Sequence, residues 1–412
     1  MHVLKNSLIY LGSSILNKMI PFFLLPIMTK YLSPEEYGRL SIYLIMITFY
    51  TAFIGMNIHI NVSKNFFKFS KNKLSIMIGN ILSILFVSFG FYLLLTILLS
   101  FFYKNIFSIP SAWLITIPFL SMMMMVNNIN TTILRNEGKA YLFGIFEISN
   151  TAVTMTVTIL TLLYLDYGWH AQPVGMLVSY SLFFVIALLY MKNRGYIRWQ
   201  IDKTKIRSIL GISLPLIPHV IGGAVIAMSD RVFIERMVGL DAVGIYSVGY
   251  MFGMVVMLFT DAFIKAWSPW FYKNLANPTL EKKKKIVKYT YLYILGIFVL
   301  ALAIATAGKF ILPYFVDKKF YEAGEYILWI SLGYAIFGVY QIFFPYLVHI
   351  GKTSFLAIST VTAAITNLVL NYFFIASYGA IGAAYATIFA FLISAFLVFC
   401  YQKNKFFMPW IF

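Results

Sequence analysis

Long apolar runs, each closed by a short stretch of lysine, arginine, glycine or proline, recur from one end of the chain to the other. Many exceed eighteen residues, the length a helix needs to cross a hydrocarbon core of about 30 Å. The pattern predicts twelve helical spans, near 7–31, 39–62, 75–103, 112–134, 142–165, 172–191, 208–236, 243–269, 287–315, 324–350, 354–376 and 380–401. The two longest, 75–103 and 287–315, have length to spare for tilt or for extension past the bilayer. The short span at 172–191 follows a break at Gly168–Pro173. The first apolar stretch, Ser7 to Leu32, is too long for the core of a cleaved signal, and no small-residue cleavage site follows it. It is therefore expected to remain as a span.

Composition sharpens this picture. Of 412 residues, 61% are hydrophobic and 11% charged, whereas about a quarter of an ordinary soluble chain is charged. A soluble fold would lack the polar surface to cover such a core. The single cysteine, Cys400, excludes an intrachain disulfide and a cysteine-based metal cluster. The five histidines are scattered, and no phosphate loop, nucleotide fingerprint or nucleophile elbow appears. No cofactor, no metal and no enzymatic activity are expected. A membrane-bound glycosyltransferase or polymerase would need a sizeable extramembrane loop, and the longest odd-numbered loops hold about ten residues.

Charge then gives orientation. The two termini and the even-numbered loops hold 22 of the 32 lysines and arginines, and the odd-numbered loops hold seven. The positive-inside rule therefore places both termini in the cytoplasm. The net charge of +18 is spread over separate short loops, which suits anionic lipid headgroups and argues against nucleic acid.

The longest basic linker, Lys192 to Arg207, leaves six spans on either side. The expected organisation is an N-terminal lobe over 1–191, a cytoplasmic linker over 192–207 and a C-terminal lobe over 208–412. The turn Tyr31–Ser41 matches the turn Met237–Ser247: Gly38 pairs with Gly244, Glu35 with Asp241 and Ser41 with Ser247, all at an offset of 206. Arg135-Asn-Glu-Gly138-Lys139 likewise resembles His349-Ile-Gly351-Lys352. An even number of spans per half gives two parallel lobes related by an axis along the membrane normal. The expected fold is an all-α integral membrane protein, two six-helix lobes around a central cleft suited to alternating access.

Charges at bilayer depth are costly and point to function. Lys18 lies eleven residues into the first span, about 16 Å deep, too far for its stem to reach the interface. It is the first candidate for an anionic substrate. His219 lies at similar depth in the seventh span, and Asp230, three turns later, shares nearly the same face. For Asp230 and Arg231 two readings stand, an interfacial ion pair and a substrate or coupling role. For Asp261 and Lys265, spaced i, i+4 with the acid first, the readings are a self-neutralised pair and an ion or proton site. Glu147 and Arg135 belong near the cytoplasmic rim. Asn127, Asn128, Asn130, Asn367 and Asn371 suit interhelical hydrogen bonds. Pro21 and Pro26 in the first span, and Pro215 and Pro218 in the seventh, predict bent helices lining the cleft.

The start Asn6-Ser-Leu-Ile-Tyr10-Leu-Gly-Ser-Ser14, the Tyr31–Ser41 turn and above all Ser229-Asp-Arg231-Val-Phe-Ile-Glu-Arg236-Met-Val-Gly239-Leu-Asp-Ala-Val-Gly244-Ile-Tyr-Ser247 carry a resemblance. With the twelve-span layout, they resemble the Wzx-type O-antigen flippases, the polysaccharide-exporter branch of the superfamily that includes the MATE drug exporters. The resemblance implies a MATE-like fold in a bacterial inner membrane. It further implies translocation of an undecaprenyl-diphosphate-linked oligosaccharide from the cytoplasmic to the periplasmic leaflet. Membrane lipids, an O-antigen polymerase and a chain-length regulator are the implied partners. Only Asp230 and Arg231 carry over as motif residues. Lys18, His219 and Arg231 are the expected substrate-binding residues, and Asp230, Asp261 and Lys265 the expected coupling or gating residues. An ion-coupled exporter of small cations is the competing expectation, although the deep charge of the first span is positive where such an exporter wants a carboxylate.

Overall fold

The computed structural model describes residues 12, 17, 22–214, 217–276 and 278–410. In chain order its helices are α1 (Phe22–Tyr31), α2 (Pro34–Gly55), α3 (His59–Asn65), α4 (Lys71–Phe102), α5 (Ser111–Leu114), α6 (Thr116–Asn136), α7 (Ala140–Tyr164) and α8 (Ala171–Asn193). They continue as α9 (Lys203–Ser213), α10 (Ile217–Met237), α11 (Leu240–Gly253), α12 (Val255–Ala276), α13 (Leu280–Phe315), α14 (Gly324–His349), α15 (Thr353–Tyr378) and α16 (Ile381–Lys405). A two-residue hairpin, β1 (Asn105–Ile106) with β2 (Ile109–Pro110), interrupts the otherwise helical order.

Ten helical segments among the described residues are long and apolar enough to cross a membrane. They coincide with the second to sixth and eighth to twelfth spans of the sequence reading. Of the first span, residues 12 and 17 and α1 are the described parts. Of the seventh, α9 and α10 are the described parts, on either side of residues 215 and 216. The second span ends early. Met56 and Asn57 take positive φ of 43° and 51°, closing α2 at Gly55 before α3 begins. L-residues adopt that conformation as isolated punctuation and not within a helix.

Contacts divide the chain into two units. One takes the described residues up to Leu32 together with Arg39–Ile221. Its core joins α3, α4, α6 and α8 through buried side chains such as Ile81, Leu82, Val126, Ile129 and Ala187. The segment read as a basic cytoplasmic linker packs here. Arg198 N–H donates to the Ser75 carbonyl at 3.2 Å, and Gly79 leaves room for the Arg198 carbonyl against α4. Asn80 donates to the Gln200 carbonyl at 2.9 Å and accepts from the Asp202 N–H at 3.0 Å. Asp202 in turn caps α9, accepting from Thr204 and Lys205 N–H groups at 3.0 and 3.1 Å.

The other unit is Ser33–Gly38 with Gly222–Phe412. Ser33 and Glu36 form a reciprocal capping box, each side chain accepting the other's backbone N–H at 3.1 Å, with Pro34 at the first helical position. The turn so fixed meets its sequence counterpart. A side chain at Gly38 would strike the Leu240 carbonyl, and one at Gly244 the Pro34 carbonyl. Pro34 and Leu240 are themselves separated by the same offset of 206 as the two glycines, so the contact is reciprocal. Within the same unit, Gly382 opens α16 to the Phe374 carbonyl of α15.

The second repeated feature also has one geometry in both places. Gly138 and Gly351 take φ of 73° and 70°. The following Lys139 and Lys352 N–H groups each reach back at 2.9 Å, to the carbonyls of Leu134 and Leu347. Both are glycine C-caps of the Schellman type.

Candidate functional site

The most heavily constrained charges sit where α10, α11, α15 and α16 meet. Asp230 on α10 is 0% exposed and Arg231 beside it 7%. A carboxylate taken out of water costs several kcal/mol unless donors replace its hydration. Here three do. Tyr246 of α11 donates its hydroxyl to Asp230 Oδ2 at 2.7 Å. Asn371 of α15 donates to Oδ1 at 3.1 Å. Thr387 of α16 lies 3.1 and 3.2 Å from the two oxygens.

The neighbours of these donors are also fixed. Ser229 donates to Asn367 Oδ1 at 2.5 Å, Asn371 lies 3.1 Å from both groups, and Asn367 donates to Thr387 at 3.2 Å. Asn367 and Asn371 are one turn apart and present one face of α15 to α10. The Arg231 guanidinium lies 4.0 Å from the Tyr250 ring centroid and 5.6 Å from that of Tyr246, a cation–π arrangement strengthened by desolvation. The Tyr250 and Tyr334 hydroxyls hydrogen-bond to each other, extending the network to α14. A cavity of about 10 Å³ bordered by Tyr246, Tyr250, Tyr334 and Thr387 adjoins it, room for a water-sized guest and no more. The site is a polar node that ties α10 to α11, α14, α15 and α16.

Asp230 and Arg231, for which an interfacial pair and a substrate or coupling role were both expected, are buried among four helices. Asn367 and Asn371 make the interhelical bonds expected of them. Asp261 and Lys265 do not join the node: Gln341 donates to Asp261 at 3.5 Å, and Lys265 is exposed on α12. Lys18 lies outside the described residues, as does the side chain of His219. Asn17, adjacent to Lys18, donates to Glu147 Oε2 at 2.7 Å and accepts from Thr151 at 2.5 Å. Tyr246, Tyr250, Tyr334 and Thr387 were not singled out in advance. Tyr246 falls inside the Ser229–Ser247 stretch, the one sequence signal that reached it.

A second polar cluster lies at the lysine-rich end of the first unit. Glu137 accepts hydrogen bonds from Tyr190 at 2.6 Å and Tyr196 at 2.8 Å and pairs with Lys139 at 2.8 Å. Burial alone would raise its carboxyl, but the donors Lys139, Tyr190 and Tyr196 outweigh burial and hold it below the usual range. Among the described residues, no group of three or more His, Cys, Asp or Glu side chains is placed to hold a metal.

Residues 3–275 match the family described as polysaccharide biosynthesis protein, and residues 215–373 match the MatE family. The Lsg locus putative protein 1 of Haemophilus influenzae is 25% identical over 373 residues, 89% of each chain. A second membrane protein of that organism is 23% identical over 376 residues, again 89% of each. Among solved structures, an inward-facing multidrug resistance MATE transporter of the MOP superfamily superposes with a TM-score of 0.74 at 12% identity, covering 94% of both chains. The lipid II flippase MurJ, in an inward closed conformation, superposes at 0.70 and 16% identity over 97% of this chain and 87% of its own. The all-α fold expected from the spans, with the MATE-like arrangement that the resemblance implies, is thus the fold of this chain. The chain belongs to the polysaccharide biosynthesis protein family and is a multi-pass membrane protein with a MATE-like fold.

Proposed function

We propose that the chain is a flippase for an undecaprenyl-diphosphate-linked oligosaccharide, an O-antigen repeat unit. It moves this lipid from the cytoplasmic to the periplasmic leaflet of a bacterial inner membrane by alternating access of its two halves. The observation that carries this reading is the polysaccharide-family match over residues 3–275. The likeness to a lipid flippase and the sign of the rare intramembrane charge in the first span support it. A diphosphate is dianionic or more, and Lys18 offers it a cation at depth, with His219 as a second donor.

Arg231 is assigned differently from Lys18. Its face is taken by Tyr250 and Tyr246, and it lies beside a carboxylate with three donors. The Asp230–Arg231 node therefore serves coupling or gating: a helix rearrangement that separates α10 from α11, α15 and α16 exposes a charge pair and needs compensation from a proton, a cation or the substrate. Asp261 and Lys265 on α12 remain further coupling candidates.

Complementation of a flippase-null strain tests the reading. The wild-type gene restores surface polysaccharide, and Lys18→Glu does not. Normal polysaccharide from both Lys18→Ala and Lys18→Glu would remove Lys18 from the mechanism. A MATE-like exporter of small molecules is the second reading, favoured by the MatE match over 215–373 and the buried carboxylate Asp230. Altered drug susceptibility of a deletion strain, with intact surface polysaccharide, would select it.

A further inference from the structure

Between α12 and α13 of the second unit runs an open apolar groove of about 750 Å³. Its wall is a run of aromatic rings. Phe263 stacks on Tyr293 at 4.2 Å and 23° and on Trp267 at 5.8 Å and 20°; Trp267 meets Trp270 at 4.9 Å, and Trp270 meets Tyr289 at 5.4 Å. Gly296 leaves the floor open, with no atom within 4 Å of where its side chain would stand. From Tyr289 to Leu300 the groove follows twelve residues of α13, a rise of about 16 Å, which is roughly half the thickness of a hydrocarbon core. It is as long as one leaflet is thick.

The charges at one end are opposite in sign to a lipid phosphate. Lys273, Lys285 and Lys288 are exposed. Each stands one turn beyond a lining residue, namely Trp270, Tyr289 and Leu292, so helical spacing puts all three on the groove's own face. Lys285 Nζ lies 5.8 Å from the Tyr289 ring centroid. Nothing in the Asp230 node uses these residues.

We infer that this groove seats the isoprenoid chain of a polyprenyl diphosphate, with the diphosphate at Lys273, Lys285 and Lys288. The proposal rests on the lipid-linked reading above and says where on the chain the lipid is held. Flat, stacked rings suit a methyl-branched, unsaturated chain lying along them. Three lysines match a diphosphate better than the single charge of a phosphodiester headgroup. The glycan is then free to enter a hydrated path while the tail stays against the outside of the helices.

The test uses the full-length chain in nanodiscs, photolabelled with a diazirine-bearing heptaprenyl diphosphate. Label is expected on peptides covering 259–300, undiminished by excess phosphatidylglycerol. Gly296→Phe, whose Cβ meets no atom within 4 Å and whose ring enters the groove, should cut labelling about tenfold with thermal stability unchanged. Replacing Lys273, Lys285 and Lys288 together by Gln should cut it comparably and weaken its dependence on salt. Full competition by phosphatidylglycerol, or undiminished labelling of Gly296→Phe, would overturn the assignment in favour of a bulk-lipid surface. Labelling elsewhere on the chain overturns the groove while leaving the lipid-linked reading intact; no labelling anywhere overturns both.

Discussion

Gly38 and Gly244 face one another so closely that the backbone of each helix occupies the space a side chain on the other would need. The two stand at the same place in the two sequence repeats, and so do the carbonyls they make room for, those of Pro34 and Leu240. A weak sequence match, glycine in a turn, thus has a steric cause that applies twice.

Gly38→Ala and Gly244→Ala should each destabilise the protein by about 1–3 kcal/mol, because a backbone carbonyl yields less readily than a side-chain tip. Gly90→Ala and Gly211→Ala, which meet no atom within 4 Å, should be neutral or slightly stabilising. Thermal unfolding in detergent distinguishes the pairs, and equal behaviour of all four would refute the close-approach explanation.

At the buried node, Asp230→Ala removes the acceptor of Tyr246 and Thr387 and one of the acceptors of Asn371, a loss of about 3 kcal/mol. Asp230→Asn keeps the shape and removes the charge. It should fold and reach the membrane yet fail to restore surface polysaccharide, since a neutral group gives the coupling step nothing to respond to. Normal transport by a well-expressed Asp230→Asn protein would reduce the node to packing.

Glu137 sets an acid limit on stability. Its carboxyl is held below the ordinary value of 4.5, so its contribution is complete above that value and is lost as pH falls through the lower folded one. Glu137→Gln should therefore be less stable than wild type at neutral pH by about 1–2 kcal/mol, with the difference closing in strong acid. A difference independent of pH would mean that the charge contributes nothing.

Orientation is checked by cysteine labelling in a Cys400→Ser background. Cysteines replacing Asp166 and Lys318 should react with a membrane-impermeant maleimide applied to whole cells. Those replacing Arg194 and Lys352 should react only after permeabilisation. The reverse pattern would invert the topology that the loop charges give.

The hydropathy pattern located the membrane-crossing helices well, because the bilayer requires length and apolarity of each segment alone. What it missed depends on tertiary partners. The left-handed residues Met56 and Asn57, which end α2, sit in an apolar run with no proline or glycine pair to mark them. The basic stretch 192–207 looks like a linker by composition, yet Asn80 and Gly79 on α4 hold it down. Asp230 and Arg231 were visible as rare charges. That they are buried became visible only with Tyr246, Asn371 and Thr387 around them, residues 16, 141 and 157 positions away.

The most direct test follows the lipid itself. In cells depleted of this protein, the lipid-linked oligosaccharide is isolated by mass spectrometry after the outer face of the inner membrane has been exposed to a membrane-impermeant oxidant of sugar diols. The flippase account expects the intermediate to accumulate unoxidised, held in the cytoplasmic leaflet, and to become oxidised when the gene is restored. Equal oxidation with and without the protein would contradict it.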